Sequence, residues 1–151
     1  MTMWLRAFIA ATLFAVACGA YAGESAQERT NIRNVEAFYD AALNAKDFDR
    51  ARTYIGDYYK QHNPTARDGT EGLKAFIEFL RTKFPASHSD IKQAFADGHY
   101  VILHVHSVRV PGTRGRAIVD IFRLDNHGKV VEHWDVVQDI PEKSANANTM
   151  F

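Results

Sequence analysis

Two aspartates lie in apolar stretches near the C-terminal end of the sequence, and both are candidates for acid/base chemistry. Asp120 lies in Ala117–Arg123 (AIVDIFR), and Asp135 lies in Glu132–Val137 (EHWDVV). A carboxylate among apolar neighbours costs free energy unless another group pairs with it. Burial also raises the pKa of a carboxyl group, which suits a group that exchanges protons near neutral pH. The two aspartates therefore predict a small-molecule pocket with acid/base chemistry.

Alternation along the two predicted strands places each aspartate on an apolar face. Asp120 shares its face with Phe122, a candidate pocket wall, and Asp135 shares its face with Val137. A structural role is the alternative, in which Asp135 bonds to a backbone amide and Asp120 forms an ion pair. The ion-pair partners open to Asp120 are Arg116, Arg123 and His133. Two aspartates on adjacent strands favour a site over two separate structural roles.

A segment dense in hydrogen-bonding side chains, Tyr58–Pro64 (YYKQHNP), lies between two predicted helices. Such a segment is typical of the rim of a pocket. His62 is a candidate catalytic residue, and His62 or Asn63 would hold a carbonyl or enolate oxygen, with Tyr58 beside them. The alternative is that these side chains only cap helix ends. Trp134 is expected in the core or the pocket wall.

His104 and His106 lie on one face of a predicted strand. Three interpretations are open. The two histidines are polar groups of the pocket, or half-exposed residues, or core residues that form hydrogen bonds with neighbouring groups. A His-x-His pair alone is a weak metal signal, because zinc requires at least three protein ligands. His62 with Asp120 or Asp135 would complete a set, but we expect no metal and no cofactor.

The spacing of apolar residues changes along the chain from helical to alternating, which predicts helices followed by strands. Apolar residues at helical spacing predict a first helix from about Arg29 to Leu43, a short one capped by Asp47 and running to Ile55, and a third capped by Thr70. Irregular chain is expected over Tyr58–Asp68. The predicted strands are Ile91–Ala96, His99–Val110, Arg116–Leu124 and Lys129–Ile140. Helices followed by strands joined through short turns indicate an α+β fold, an antiparallel sheet curved over helices.

The first residues, Met1–Ala22, have the pattern of a secretory signal peptide. One positive charge precedes the apolar run Ala7–Ala17, and the small-x-small motif Ala20-Tyr21-Ala22 follows it. This pattern predicts cleavage after Ala22, a mature domain over residues 23–151, and a periplasmic or secreted location. The alternative is a lipoprotein signal in which Cys18 carries a lipid anchor.

Composition excludes several classes of protein. The formal net charge is zero, whereas nucleic-acid binding requires a basic surface. Cys18 is the single cysteine, so the predicted mature domain has no disulfide, no thiolate nucleophile and no cysteine-ligated metal. Apart from a possible anchor at Cys18, no membrane contact is expected. The length corresponds to one domain that can bury a substantial core.

The chain resembles the SnoaL-like polyketide cyclases of the nuclear-transport-factor-2-like superfamily, in the branch described as candidate aldol-condensation enzymes. The segments that carry the resemblance are Tyr54–Asp57, Gln61–Pro64, Val119–Arg123, Gly128–Asp135 and Ala147–Phe151. The resemblance implies a cone-shaped (cystatin-like) fold with N-terminal helices on a curved antiparallel sheet and a pocket inside. It also implies that Asp135 is an acid/base residue.

The position of Asp120 is a departure from the family pattern, where a second polar residue, commonly histidine, is expected. Two close carboxylates do not both ionise readily, so one of them would hold a proton. The leading expectation is a cofactor-free enzyme that cyclises or isomerises a small hydrophobic carbonyl compound. A non-catalytic periplasmic ligand-binding domain and a metal-dependent hydrolase or lyase are the alternatives. Pairing of two copies through the exposed sheet face is also expected.

Overall fold

The structure is a computed structural model that describes residues 23–151. The predicted signal peptide and Cys18 lie outside the described residues. Within that range, no helix combines the length and the apolar character that a membrane crossing requires. The elements in chain order are α1 (Ala26–Tyr39), a π-helical segment (Asp40–Asn44), α2 (Phe48–Arg52), β1 (Ile55–Gln61), α3 (Gly69–Lys83), β2 (His88–Asp97), β3 (Tyr100–Val108), β4 (Arg116–Leu124) and β5 (Val130–Asp139).

The first two helices begin at side-chain caps. The Ser25 hydroxyl accepts the backbone N–H of Glu28 (3.1 Å), whose carboxylate accepts the backbone N–H of Ser25 (2.7 Å), a reciprocal capping box. At α2, the Asp47 carboxylate accepts the backbone N–H of Arg50 (3.0 Å), as predicted. The predicted first helix is confirmed, although it begins three residues earlier than Arg29, at the residue after its cap.

The chain after α2 differs from the prediction. We predicted that the second helix continues to Ile55 and that irregular chain begins at Tyr58. Both predictions are wrong, because Ile55–Gln61 forms β1. β1 pairs in parallel with β5, so the sheet is mixed rather than fully antiparallel. Only Ile55 and Tyr59 are buried in this strand, and its register shifts between Ile55 and Lys60, which obscures the alternation of an ordinary strand.

The third helix begins at Gly69, and its N-cap residue is Asp68 rather than the predicted Thr70. The Asp68 carboxylate instead accepts the backbone N–H of Gln61 (2.8 Å), which ties the loop before α3 to the end of β1. The predicted apolar stripe is confirmed where Leu73 and Ile77 are buried against the sheet.

The five strands are ordered β1-β5-β4-β3-β2, and all neighbouring pairs except β1 with β5 are antiparallel. The four predicted strands are therefore confirmed. The turns after β2 and β4 contain Gly98 and Gly128, which have positive φ angles of 57° and 71° that favour glycine. In the β4–β5 register Asp120 lies directly opposite Asp135.

The helices cover one face of the sheet, which we call the inner face and define by Leu103, Asp120, Phe122 and His133. The opposite, outer face carries residues such as Ile102, Val119, Trp134 and Val136. The core lies between the inner face and the helices, and the α+β class is confirmed. The core side chains that are at most 2% exposed include Val35, Phe38, Ile77, Val101, Leu103, Val105, Phe122 and Leu124.

Candidate active site

A cavity of about 1110 Å³ opens between the inner face of the sheet and the helices. Its walls are largely apolar, and its volume is on the scale of a pocket for a small organic molecule. Asp120 and Asp135 both line this cavity, as do Asn63 and Phe122. The structure thus brings together four of the residues that the sequence singled out.

Asp120 is the more deeply buried of the two aspartates, with 4% of its surface exposed. The Tyr39 hydroxyl donates to its Oδ2 (3.0 Å), and His133 Nε2 lies 2.9 Å from its Oδ1. Burial, followed by the negative charge of Asp120, raises the pKa of Tyr39 well above its usual value. Tyr39 therefore remains a hydrogen-bond donor to Asp120 throughout the physiological pH range.

The protonation of His133 follows from the orientation of Gln61. Gln61 Oε1 accepts the backbone N–H of Asn63 (2.8 Å), so the oxygen of this amide is the atom 3.1 Å from His133 Nδ1. Since an amide oxygen only accepts hydrogen bonds, Nδ1 carries a proton. The contact between Nε2 and Asp120 then requires one further proton, which His133 and Asp120 share.

Asp135 has a different environment, in which it only accepts hydrogen bonds. Asn63 Nδ2 lies 2.8 Å and 2.6 Å from the two carboxylate oxygens of Asp135. The Asn63 amide is oriented by Thr65, because Asn63 Oδ1 accepts the backbone N–H (2.8 Å) and the hydroxyl (2.7 Å) of Thr65. Both carboxylate oxygens of Asp135 therefore act as hydrogen-bond acceptors, the arrangement that a general base requires.

The reactive atoms of Asp120, His133 and Asp135 converge. One ligand atom from each residue lies within 4.8 Å of the others, on the inner face of adjacent strands. The arrangement places a carboxyl group that only accepts hydrogen bonds beside a carboxyl–imidazole pair that holds a transferable proton. The same three groups could also serve as ligands of a transition-metal ion, since one imidazole nitrogen and two carboxylates are suitable donors.

Tyr59 of β1 also lies in the cavity wall. Its pKa is raised by burial and, to a lesser extent, by the charges of Asp120 and Asp135. Tyr59 is thus a neutral hydroxyl within the field of both aspartates. Gln61 Nε2 donates to this hydroxyl (3.2 Å), which supports the orientation of the Gln61 amide.

Three residues that we expected to face the pocket lie on the outer side of the sheet instead. The His62 ring stacks on Trp134, with centroids 4.6 Å apart and planes inclined by 7°. The Tyr58 hydroxyl accepts a hydrogen bond from Arg123 (3.0 Å). Alternation explains the correction, because Trp134 points away from its neighbours His133 and Asp135. Tyr58 and His62 likewise point away from the inner face of the sheet. None of the three residues lines the cavity.

The two histidines of β3 also lie on the outer face, so their predicted role in the pocket is not supported. The ring centroids of His104 and His106 lie 5.2 Å and 4.8 Å from that of Phe151, the last residue of the chain. His106 Nε2 also donates to the backbone carbonyl of Arg114 (2.8 Å). Neither histidine lines the cavity, and neither belongs to the cluster around Asp120.

Sequence reasoning missed three polar residues of the site. His133 was considered only as an ion-pair partner of Asp120, although it lies two residues before Asp135 and therefore on the same strand face. Gln61 was missed because its strand was not predicted. Tyr39 lies within the predicted first helix, where its ring contributes to the apolar spacing. No sequence pattern indicates that its hydroxyl reaches the site.

The sequence model of the SnoaL-like domain matches residues 35–133 of this chain, which include Asp120 and His133. The chain belongs to the SnoaL-like family. Asp135 lies two residues beyond the matched segment of this SnoaL-like domain. A search of curated proteins found no match to the chain.

Solved structures similar to this SnoaL-like protein share its fold. A SnoaL-like protein of unknown function from Burkholderia thailandensis is 17% identical, with a TM-score of 0.63 and coverage of 74% of this chain and 96% of that chain. A cystatin-fold protein from Novosphingobium aromaticivorans is 23% identical, with a TM-score of 0.61 and coverage of 70% and 97%. A candidate polyketide cyclase from Bacillus cereus is 20% identical, with a TM-score of 0.62 and coverage of 72% and 74%.

On the outer face, Glu132 is the centre of an ionic network. His62 Nε2 donates to its Oε1 (2.7 Å), Arg123 Nε donates to its Oε2 (2.7 Å), and its side chain is 11% exposed. The bond from His62, together with the bond and charge of Arg123, lowers the pKa of Glu132 below its usual value of 4.5. The network therefore stabilises the fold above pH 4.5, and this contribution is lost as the pH falls through the lowered pKa.

We expect Glu132→Gln to lower the free energy of unfolding at pH 7 by about 1.5–3 kcal/mol, the range for hydrogen bonds to charged groups. The difference from the wild type should shrink below pH 4.5, because the wild type then loses the same charge. Urea denaturation at neutral and acidic pH measures both effects. Glu78→Gln is a matched control, since Glu78 pairs with Arg81 at more than half exposure and should change stability little. A difference that does not depend on pH would contradict the assignment.

Proposed function

We propose that this SnoaL-like protein is an enzyme that cyclises or isomerises a small hydrophobic carbonyl compound by acid/base catalysis without a cofactor. The observation that carries the proposal is the convergence of Asp135 with the Asp120–His133 pair inside a largely apolar cavity. Two proteins of similar structure support this class of reaction. One is described as a candidate polyketide cyclase and the other as a candidate isomerase.

In the proposed mechanism, Asp135 removes a proton from the carbon next to the substrate carbonyl. The electrons of the broken C–H bond move to the carbonyl oxygen, and the shared proton of Asp120 and His133 is donated to that oxygen. In cyclisation, the enol carbon attacks a second carbonyl carbon of the same molecule, its O–H proton returns to the Asp120–His133 pair as the first carbonyl re-forms, and Asp135 gives its proton to the new alkoxide. In isomerisation, a C=C bond conjugated with the enol makes it a dienol, Asp135 gives its proton to the γ-carbon, and the O–H proton returns to the same pair. Asn63 keeps Asp135 in position, and Tyr39 does the same for Asp120.

A panel of small ketones and dicarbonyl compounds, followed by mass spectrometry and NMR, tests the proposed function. We expect conversion of at least one compound by the purified protein without added cofactor. The matched control is the Asp120→Asn/Asp135→Asn double variant, which keeps the shape of the cavity. If the wild type binds panel compounds but converts none, the protein is a ligand-binding domain and the proposal of an enzyme is wrong.

A metal-dependent hydrolase or lyase is a second candidate, and the cluster of one histidine and two aspartates favours it. Against it, the carboxylate oxygens of Asp120 and Asp135 already accept hydrogen bonds from Tyr39, His133 and Asn63. We therefore expect less than stoichiometric metal in protein purified without a histidine tag, and no loss of activity with a chelator. Stoichiometric metal in elemental analysis, with activity lost on chelation, would replace the first proposal by the second.

We further propose that the enzyme acts outside the cytoplasm, since Met1–Ala22 has the pattern of a signal peptide. Mass spectrometry of the protein from the exported fraction of the native host is expected to find Gly23 as the first residue. A full-length protein in the cytoplasm would contradict this location.

A further inference from the structure

Arg109, just after the end of β3, is a positive charge in the cavity wall and has no acidic partner in the part of the chain that the structure describes. It lines the cavity, and within residues 23–151 its guanidinium forms no ion pair and no side-chain hydrogen bond. Its neighbour in the wall, Arg116, instead forms an ion pair with Asp139 (Nε to Oδ1, 2.8 Å). A half-buried guanidinium without a carboxylate is a candidate site for an anion supplied by a ligand.

Two aromatic rings hold the Arg109 guanidinium in place. Its Cζ lies 5.4 Å from the centroid of the Phe84 ring and 6.0 Å from that of Phe76. Both phenylalanines also line the cavity. Contact with aromatic faces restricts the guanidinium without using its N–H donors, so these donors stay available to a ligand.

The electrostatics of this part of the wall agree with that arrangement. Burial, followed by the charge of Arg116, lowers the pKa of Arg109, as expected for a cation without a compensating anion. Two further arginines of the cavity wall, Arg67 and Arg114, are exposed, and the wall also contains Asp139, which pairs with Arg116, and the exposed Glu142. The unpaired charge of Arg109 itself would therefore attract a negatively charged group of a ligand.

Arg109 and the acid/base groups lie at different positions along the same inner face. Leu103 of β3 pairs with Asp120, and Arg109 follows six residues further along the chain. Since β3 is extended as far as Val108, the rise of a strand gives a spacing of about 20 Å between the Cα atoms of Leu103 and Arg109. A ligand that contacts both ends would therefore be elongated, with a carbonyl group near Asp135 and a negative group near Arg109.

We infer that Arg109 binds the carboxylate of an elongated, largely apolar substrate whose carbonyl group lies at the Asp120–His133–Asp135 cluster. This inference rests on the proposed function and narrows its substrate class to carbonyl compounds that are also carboxylic acids. The planar guanidinium matches a carboxylate through two parallel hydrogen bonds. The aromatic and aliphatic walls between the two ends accommodate the apolar body of such a molecule.

Binding measured without turnover tests the inference. The probes are benzoylpropionate and the longer benzoyloctanoate, each compared with its methyl ester by isothermal titration calorimetry. We expect the wild type to bind at least one of the two acids about 10- to 100-fold more tightly than its ester, the range for a charge-assisted pair. Equal affinities for acid and ester, or no binding of either acid, would overturn the assignment.

Variants at Arg109 show whether this residue is the source of the preference. Arg109→Met keeps contact with the two rings and should reduce the ratio of acid to ester affinity to about one, with the ester affinity retained. Arg109→Lys keeps the charge and should restore part of the ratio. Arg81→Met is the matched control and should change the ratio little, because Arg81 pairs with Glu78 on the exposed side of α3 and does not line the cavity. A ratio that is unchanged in Arg109→Met would overturn the inference.

The outcomes separate this inference from the proposed function. An acid preference that depends on Arg109 would stand even if no panel compound were converted, because binding alone is measured. Conversion of a carbonyl compound without any acid preference would leave the proposed function in place and remove the role of Arg109.

Discussion

Asp135→Asn is expected to lower the rate of carbonyl conversion by about 10²–10⁴-fold, the usual contribution of a general base. The asparagine has the shape of the aspartate but cannot accept a proton from carbon. Its oxygen keeps one of the two hydrogen bonds from Asn63, and the loss of the other is offset in part because the variant removes one of two facing carboxylates. We therefore expect a melting temperature within about 5 °C of the wild type.

Steady-state kinetics with a substrate from the carbonyl panel, together with thermal denaturation, measures both effects of Asp135→Asn. The matched control is Asp57→Asn, which makes the same chemical change at an exposed aspartate of β1 and should have wild-type activity. If Asp135→Asn turned over substrate at the wild-type rate, Asp135 would not be the base. A large fall in melting temperature would instead assign it a structural role.

Asp120→Asn is expected to give the second largest effect, a loss of about 10²–10³-fold in kcat, as for the removal of one donor to a developing oxyanion. His133 keeps its proton on Nδ1 because Gln61 Oε1 accepts it. The new amide donates to Nε2, and its oxygen still accepts from Tyr39. All hydrogen bonds are thus retained, but the shared proton is gone.

The pH dependence of kcat distinguishes loss of an acid from general damage to the site. We expect the wild type to lose activity on both sides of an optimum, whereas Asp120→Asn should lose the alkaline limb, which reports the acid. Asp90→Asn is the matched control, because Asp90 forms a comparable pair with His88 (3.0 Å) on the surface, away from the cavity. A pH profile of unchanged shape in Asp120→Asn would show that Asp120 and His133 do not supply the proton.

The sequence predicted the parts of the site that lie on regular strands. Alternation on β4 and β5 placed Asp120 and Asp135 on the inner face, and the short turns placed the two strands side by side. The same rule assigned His104 and His106 to one face of β3. It did not indicate which face the helices cover, because both faces of this strand carry apolar residues.

Sequence patterns could not predict the contacts that determine which groups of the site carry protons. Gln61 reaches His133 only because β1 pairs in parallel with β5, and this pairing joins residues about seventy positions apart. The strand has few buried residues, so local alternation does not reveal it. Tyr39 reaches Asp120 across 81 positions, and such a contact depends on the packing of α1 against the sheet rather than on local pattern.

The proposed mechanism requires Asp135 to remove a proton from the carbon beside a carbonyl group. The most direct measurement is the exchange of α-protons for deuterium in D₂O, followed by ¹H NMR with the carbonyl panel, because exchange reports proton abstraction even without ring closure. We predict that the wild type accelerates exchange of at least one compound and that Asp135→Asn reduces this exchange to the rate of the buffer. Exchange at the same rate in both proteins, or exchange of no compound by the wild type, would show that Asp135 does not act as the proposed base.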